Sequence, residues 1–169
     1  GMVAAAWNAK HVSIEELAGN GSKLRLIAGT GWNKRHLGNF ETRINRTSIL
    51  SRVLTSGNAE TIRRGASEAS RNKGLTGTKN LRKSVVTAIS GREMPYGILA
   101  VHGDIELKHG PDDINFLESM AYVLGVAVER SLSEEAIRES EYRFELVVKG
   151  SNDGIWDWDI MRGRTYISA

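Results

Sequence analysis

The stretch "HGPDDINFLESMAYVLGVAVERSLSEEAIRESEYRFELVV", residues 109–148, constrains the fold more than any other part of the chain. Gly110 suits an N-cap and Pro111 the first helical position, and Asp112 and Asp113 fall in the first turn, where a helix dipole favours acids. Ile114, Leu117, Ala121, Leu124, Val128 and Leu132 then recur at steps of three and four, which predicts one apolar face of a helix. Beyond Leu132 the residues turn charged: Glu134, Glu135, Arg138, Glu139, Glu141 and Arg143. No Gly or Pro interrupts this part before Gly150. A helix that loses its core face and continues is expected to leave its domain and to need a partner helix. The expectation is a homodimer assembled along Leu117, Ala121, Leu124, Val128 and Leu132.

The remaining composition is that of a soluble globular chain: 169 residues, 40% hydrophobic and 25% charged. No apolar run approaches the length of a membrane span, so no membrane contact is expected from this segment. No signal peptide is recognisable, and Gly1 ahead of Met2 reads as an expression remnant, with the natural start expected upstream. Cysteine is absent. Disulfides, thiolate metal sites and cysteine nucleophiles are thereby excluded, and a cytoplasmic location is expected. Charge is uneven. Residues 1–111 carry a formal +9 and residues 112–169 a formal −6, so a basic body bears an acidic tail. That is either solvated surface or an attraction between tail and body, within or between chains.

"HVSIEELAGNGSKLRLIAGTGW" reads as a hairpin, with Val12 and Ile14 alternating with Ser13 and Glu15 and a tight reversal at Gly19-Asn20-Gly21. "MVAAAWNAK" ahead of it is Ala-rich and helical. "TSILSRVLTSGN" has the spacing of a helix stopped at Gly57-Asn58. "AETIRR" is a candidate strand, and "GASEASRNKGLTGTKN" a long loop. "KSVVTAISGREMPYGILAVHG" is a second hairpin. Its second strand is apolar on both faces, Ile98 and Ala100 against Leu99 and Val101, which predicts a central strand. At the end of the chain "GIWDWDI" alternates with period two, and "MRGR" can return it into "TYIS". This predicts a hairpin whose Trp156 and Trp158 need cover, expected on a partner subunit.

"SVVTAISGREMPYGILAVHG" followed by "PDDINFLESMAYVLGVAVER" resembles the C-terminal half of GAF domains, and the first hairpin is similar to theirs. The resemblance covers about residues 11–130. "ESEYRFELVVKGSNDGIWDWDIMRGRTYIS" resembles the start of a PAS domain. Together these imply an α+β chain: a GAF-like central antiparallel sheet flanked by helices, a long C-terminal helix and a short β-hairpin tail. They divide it into a sensory domain over 1–130, a connecting helix over 131–149 and a PAS N-terminus over 150–169. GAF, helix, PAS is similar to the sensory half of bacterial signalling proteins, such as those of two-component systems, in which an output domain lies further along the chain.

Candidate chemistry is sparse. His11, His36, His102 and His109 show no metal spacing, and neither phosphate-loop pattern occurs. His102 follows a core strand near the place where GAF domains open their pocket; it is read as strand-end packing or a ligand contact, and the other three as surface residues. "GNGS" and "GTGW" read as turns. The basic run 63–83 suits a solvated loop, an anionic small-molecule or acidic-protein contact, or nucleic acid, and the last is disfavoured by the lack of interleaved aromatics. No paired carboxylates or Ser-His-Asp set can be placed by spacing, so no enzyme activity, no metal and no cofactor are expected. Ile14, Glu16, Ile62, Arg64 and His102 are the candidate ligand-binding residues, with a cationic Arg64 suiting an anionic small ligand. The competing reading is a ligand-free dimerisation spacer.

Overall fold

The computed structural model describes residues 2–63, 81, 83–103, 107–151 and 156–167. Arg64 and most of the 63–83 run lie outside the described residues, as do the expectations that rest on them. The chain divides into two units, residues 1–129 and 130–169.

The first unit is built on a six-stranded antiparallel sheet. Its strands are β1 (His11–Ala18), β2 (Lys23–Thr30), β3 (Glu41–Arg43), β4 (Glu60–Arg63), β5 (Lys83–Ile89) and β6 (Gly97–Gly103). They lie in the order β3-β2-β1-β6-β5-β4. Both hairpins form as the turn chemistry requires; Gly19, Asn20 and Gly21 carry φ of 59°, 54° and 80°. β6 is central, and all seven of its residues are buried. The short strand β3, which carries no apolar alternation to announce it, and a 3-10 turn at Lys34–His36 are additions to the sequence reading.

Each face of the sheet holds its own core. Val12, Val85, Ile89, Leu99 and Val101 pack with Leu117 and Ala121 of the long helix α3 (Pro111–Ser151) and with Trp7, just after α1 (Met2–Ala6). On the other face Leu24, Val86, Ile98 and Ala100 pack against Leu50 and Val53 of α2 (Ile49–Ser56). Ser48 caps α2, its Oγ accepting from Ser51 N at 3.2 Å, and Gly57 ends it in the left-handed conformation. Asp113 Oδ2 accepts the Gly110 N–H at 2.7 Å, closing the start of α3. This is the back-bond of a capping box.

One expectation is corrected here. Leu117 and Ala121 are 0% and 1% exposed and Leu124 packs on the same cluster, so this stripe is the domain's own core. A second apolar stripe runs along the opposite side of α3: Tyr122, Val126, Ile137, Phe144 and Val147, with Val123 at its margin, all exposed. The first stripe is also exposed further along the helix, at Leu132, Tyr142 and Leu146. Leu132 is exposed and Val128 half-buried.

In the second unit, α3 carries exposed ion pairs at i, i+4: Arg130–Glu134, Arg143–Glu139 and Lys149–Glu145. They support the helix by a few tenths of a kcal/mol each. β7 (Trp156–Asp159) and β8 (Arg164–Ile167) form the expected hairpin. Trp158 is 57% exposed in the single chain.

The two stripes of α3 are separable by mutation. Leu117→Ala should cost about 2–5 kcal/mol of unfolding free energy. Val126→Ser, on the opposite stripe, should change the stability of the isolated monomer by no more than about 0.5 kcal/mol. Urea unfolding of both variants in dilute solution checks this.

Candidate functional site

On β1 the residues that alternation would send to solvent are instead turned into the second core. His11, Ser13 and Glu15 share the α2-side face, and Ser13 and Glu15 are 0% and 3% exposed. The cross-strand register aligns Ile62, Ser84, His102 and His11 in one row over β4, β5, β6 and β1. Ser13 lies in the next row beside Ala100 and Val86, and Glu15 beyond it, opposite Ile98 and Leu26.

These side chains form a hydrogen-bonded chain. Ser84 Oγ lies 2.7 Å from His102 Nδ1, His102 Nε2 lies 2.9 Å from Ser13 Oγ, and Ser13 Oγ donates to Glu15 Oε1 at 3.0 Å. Ser13 has a single hydroxyl proton. Spent on Glu15, it leaves Ser13 Oγ to accept from His102 Nε2–H, so Nδ1 accepts from Ser84. Every member of the chain is satisfied except its end: Glu15 Oε2 is buried without a partner. Thr42 Oγ1 and His11 Nδ1 are likewise buried and unpartnered.

Trp32 closes the row. Its ring meets His11 and His102 edge-on, both at 5.5 Å between centroids, and its Nε1 donates to Val12 O at 2.9 Å. The "GTGW" glycines make this possible. A Cβ on Gly29 would sit 2.7 Å from the indole Cδ1, and one on Gly31 would sit 2.2 Å from Lys10 O. The motif read as a simple turn is therefore the seat of the indole, and His11, read as a surface residue, is half-buried with its Nδ1 buried beside this cluster.

Burial holds the His102 imidazole down at about 3, with His11 adding to the effect, so the ring is neutral. Burial pushes the Glu15 carboxyl up to about 7, against the opposing pull of the Ser13 hydrogen bond. The order of groups differs from that of a nucleophilic triad, in which the acid orients the imidazole. Here a serine stands between them. Among the described residues no group of three or more His, Asp or Glu could hold a metal ion.

Of the candidate ligand-binding residues, the structure brings Ile62 and His102 together in one row. Ile14 and Glu16 do not join them. Ile14 packs on the α3-side core, and Glu16 lies 3.5 Å from Arg25 in an ion pair. The physical reason is that β1 is covered on both faces, so its polar positions, not its apolar ones, face α2. Arg64 is outside the described residues. Ser13, Ser84 and Glu15 were missed by sequence reasoning; the G-x-G-W motif and His102 at the facing strand end were the available signals.

The sheet order, the helix pair on one face and α2 on the other match a known architecture. The GAF domain of an Acinetobacter phosphoenolpyruvate-protein phosphotransferase superposes with a TM-score of 0.64 at 18% identity, covering 78% of each chain. This chain has the GAF fold. A far-red cyanobacteriochrome photoreceptor superposes at 0.62 and 16% identity, over 76% of this chain and 81% of its own. A methyl-accepting chemotaxis protein superposes at 0.62 and 12% identity, over 76% and 82%. These identities establish the GAF fold and nothing finer. No family profile matches the chain. By sequence, 40 residues are 45% identical to hybrid signal transduction histidine kinase A of Dictyostelium discoideum. That match spans 24% of this chain and 2% of the kinase.

The shifted groups of this GAF-fold site predict a pH signature. Glu15 binds its proton more tightly folded than unfolded, so its stabilisation is present below its ordinary 4.5 and is lost as pH climbs through about 7. His102 acts oppositely: its contribution is full above 6.5 and is lost as pH falls toward about 3. The two slopes oppose between 4.5 and 6.5, where these two contributions should largely cancel. Glu15→Gln removes one slope, so its stability relative to wild type should rise with pH across 4.5–7, by roughly 1–3 kcal/mol at about 1.4 kcal/mol per pKa unit. Parallel profiles in denaturant titrations would contradict the assignment.

Proposed function

We propose that this chain is a non-catalytic sensory or regulatory module of a signalling protein. It acts as a homodimer, and α3 carries its state toward a PAS domain and an output domain. The observation that carries the reading is the second apolar stripe of α3, which has no work to do inside the GAF-fold unit. Tyr122, Val126, Ile137, Phe144 and Val147 recur on one side of the 41-residue helix α3. Large apolar side chains so arranged suit burial against a second copy.

The relatives support this direction: a photoreceptor, a chemotaxis protein and a stretch of a hybrid histidine kinase share the fold or a part of the sequence. The β7–β8 hairpin, with Trp158 exposed, fits the first strands of a PAS domain whose remaining chain would cover the indole. The buried chain on the α2 side is the sensing end of the module under this reading. A ligand-free spacer would share the dimer but not that end. Among the described residues no helix is long and apolar enough to cross a membrane.

Sedimentation equilibrium decides the dimer. Wild type should be dimeric at micromolar concentration. Val126→Glu with Phe144→Glu should shift it to monomer while leaving the circular dichroism of the sheet unchanged. A wild-type monomer at high micromolar concentration, or a double variant that stays dimeric, would contradict the reading.

A further inference from the structure

The end of the buried chain carries a sharper statement than the general sensory reading, on which it rests. We propose that Glu15 anchors a small-molecule site on the α2 side of the sheet. Its ligand there is a hydrogen-bond donor with an apolar body, such as an ammonium, amidinium or ring N–H compound, and not an anion.

Glu15 is 3% exposed, and one of its two oxygens is provided for while the other is not. The chain behind it cannot help. The proton of Ser13 is spent on Oε1, that of His102 on Ser13 and that of Ser84 on His102, so none is free for Oε2. The cations nearby in sequence are engaged elsewhere: Lys23 with Glu41, and Arg25 with Glu16 and Glu41. A buried carboxylate oxygen without a donor is costly, and a native fold keeps one where something else supplies the bond.

Thr42 Oγ1 is a second orphan on the same face. Thr42 pairs with Leu24, and Glu15 with Leu26, two positions further along β2. The two polar atoms thus flank a strip of leucine, with Leu50 and Val53 of α2 packed in the same core. A carboxyl and a hydroxyl set in an apolar surround recognise a donor group on an apolar body. With Glu15 ionised, above about pH 7, they disfavour a carboxylate or phosphate.

Benzylammonium, benzamidinium and imidazole, tested against benzoate and benzenesulfonate, discriminate these chemistries in a thermal shift assay of the whole chain. At least one donor probe should raise the wild-type midpoint by about 3 °C at tenfold excess over its dissociation constant. The shift should vanish in Glu15→Gln and shrink in Thr42→Val, and the anions should give none. Should Glu15→Gln not fold, the wild-type carboxyl carbon of Glu15 serves instead: its NMR signal should move with the donor probe. An equal shift in Glu15→Gln, an unmoved Glu15 signal, a shift from the anions, or no shift from any donor overturns the proposal. The last outcome is also that of an ordered water satisfying Oε2. None of these outcomes alters the sedimentation result, so the dimeric module and its ligand chemistry fail separately.

Discussion

A neutral imidazole at the centre of the sheet ties three strands together. His102 on β6 reaches Ser84 on β5 through one ring nitrogen and Ser13 on β1 through the other. Those two joints sit between backbone ladders that already pair the strands, so they fix side-chain order more than strand register. The cost of burying the ring is offset only because both nitrogens are satisfied. Charging it would require the Ser84 hydroxyl to turn and accept from Nδ1–H, and would place a cation in a site with no exposure.

The rest of the unit is arranged around keeping that chain dry. Trp32 lies at one end, where Gly29 leaves room for the indole. α2 supplies Leu50 and Val53 to the same layer, and β3 adds Thr42 at its margin. The opposite face of the sheet is conventional, with aliphatic side chains against α1 and α3. The α2 face thus carries the polar chain beside its own aliphatic core.

Much of this was legible in the sequence, for identifiable reasons. Both hairpins, α2 and its glycine stop, the central position of β6 and the length of α3 follow from period and turn chemistry. The sequence misled where two layers meet one strand. Val12 and Ile14 against Ser13 and Glu15 is the pattern of a strand with one wet face, yet both faces are covered. Alternation reports which residues share a side, and says nothing of what lies opposite a polar one. The same limit applied to α3: its stripe through Leu132 was expected to meet a partner helix because the charged helix continues beyond it, yet Leu117 and Ala121 are buried in the domain's own core. Glu15, Ser13 and Ser84 become a site only through the register of β1, β6 and β5, which no local pattern encodes.

The state of the His102 ring tests the account most directly. With the imidazoles labelled with nitrogen-15, the two ring nitrogens of His102 can be followed by NMR through an acid titration. The hydrogen-bonded chain requires a neutral ring protonated on Nε2, unchanged down to about pH 5, well below the ordinary histidine range. A ring that titrates near 6.5, or one protonated on Nδ1 at neutral pH, would mean that the chain does not run from Ser84 to Glu15 and that the site built on it is wrong.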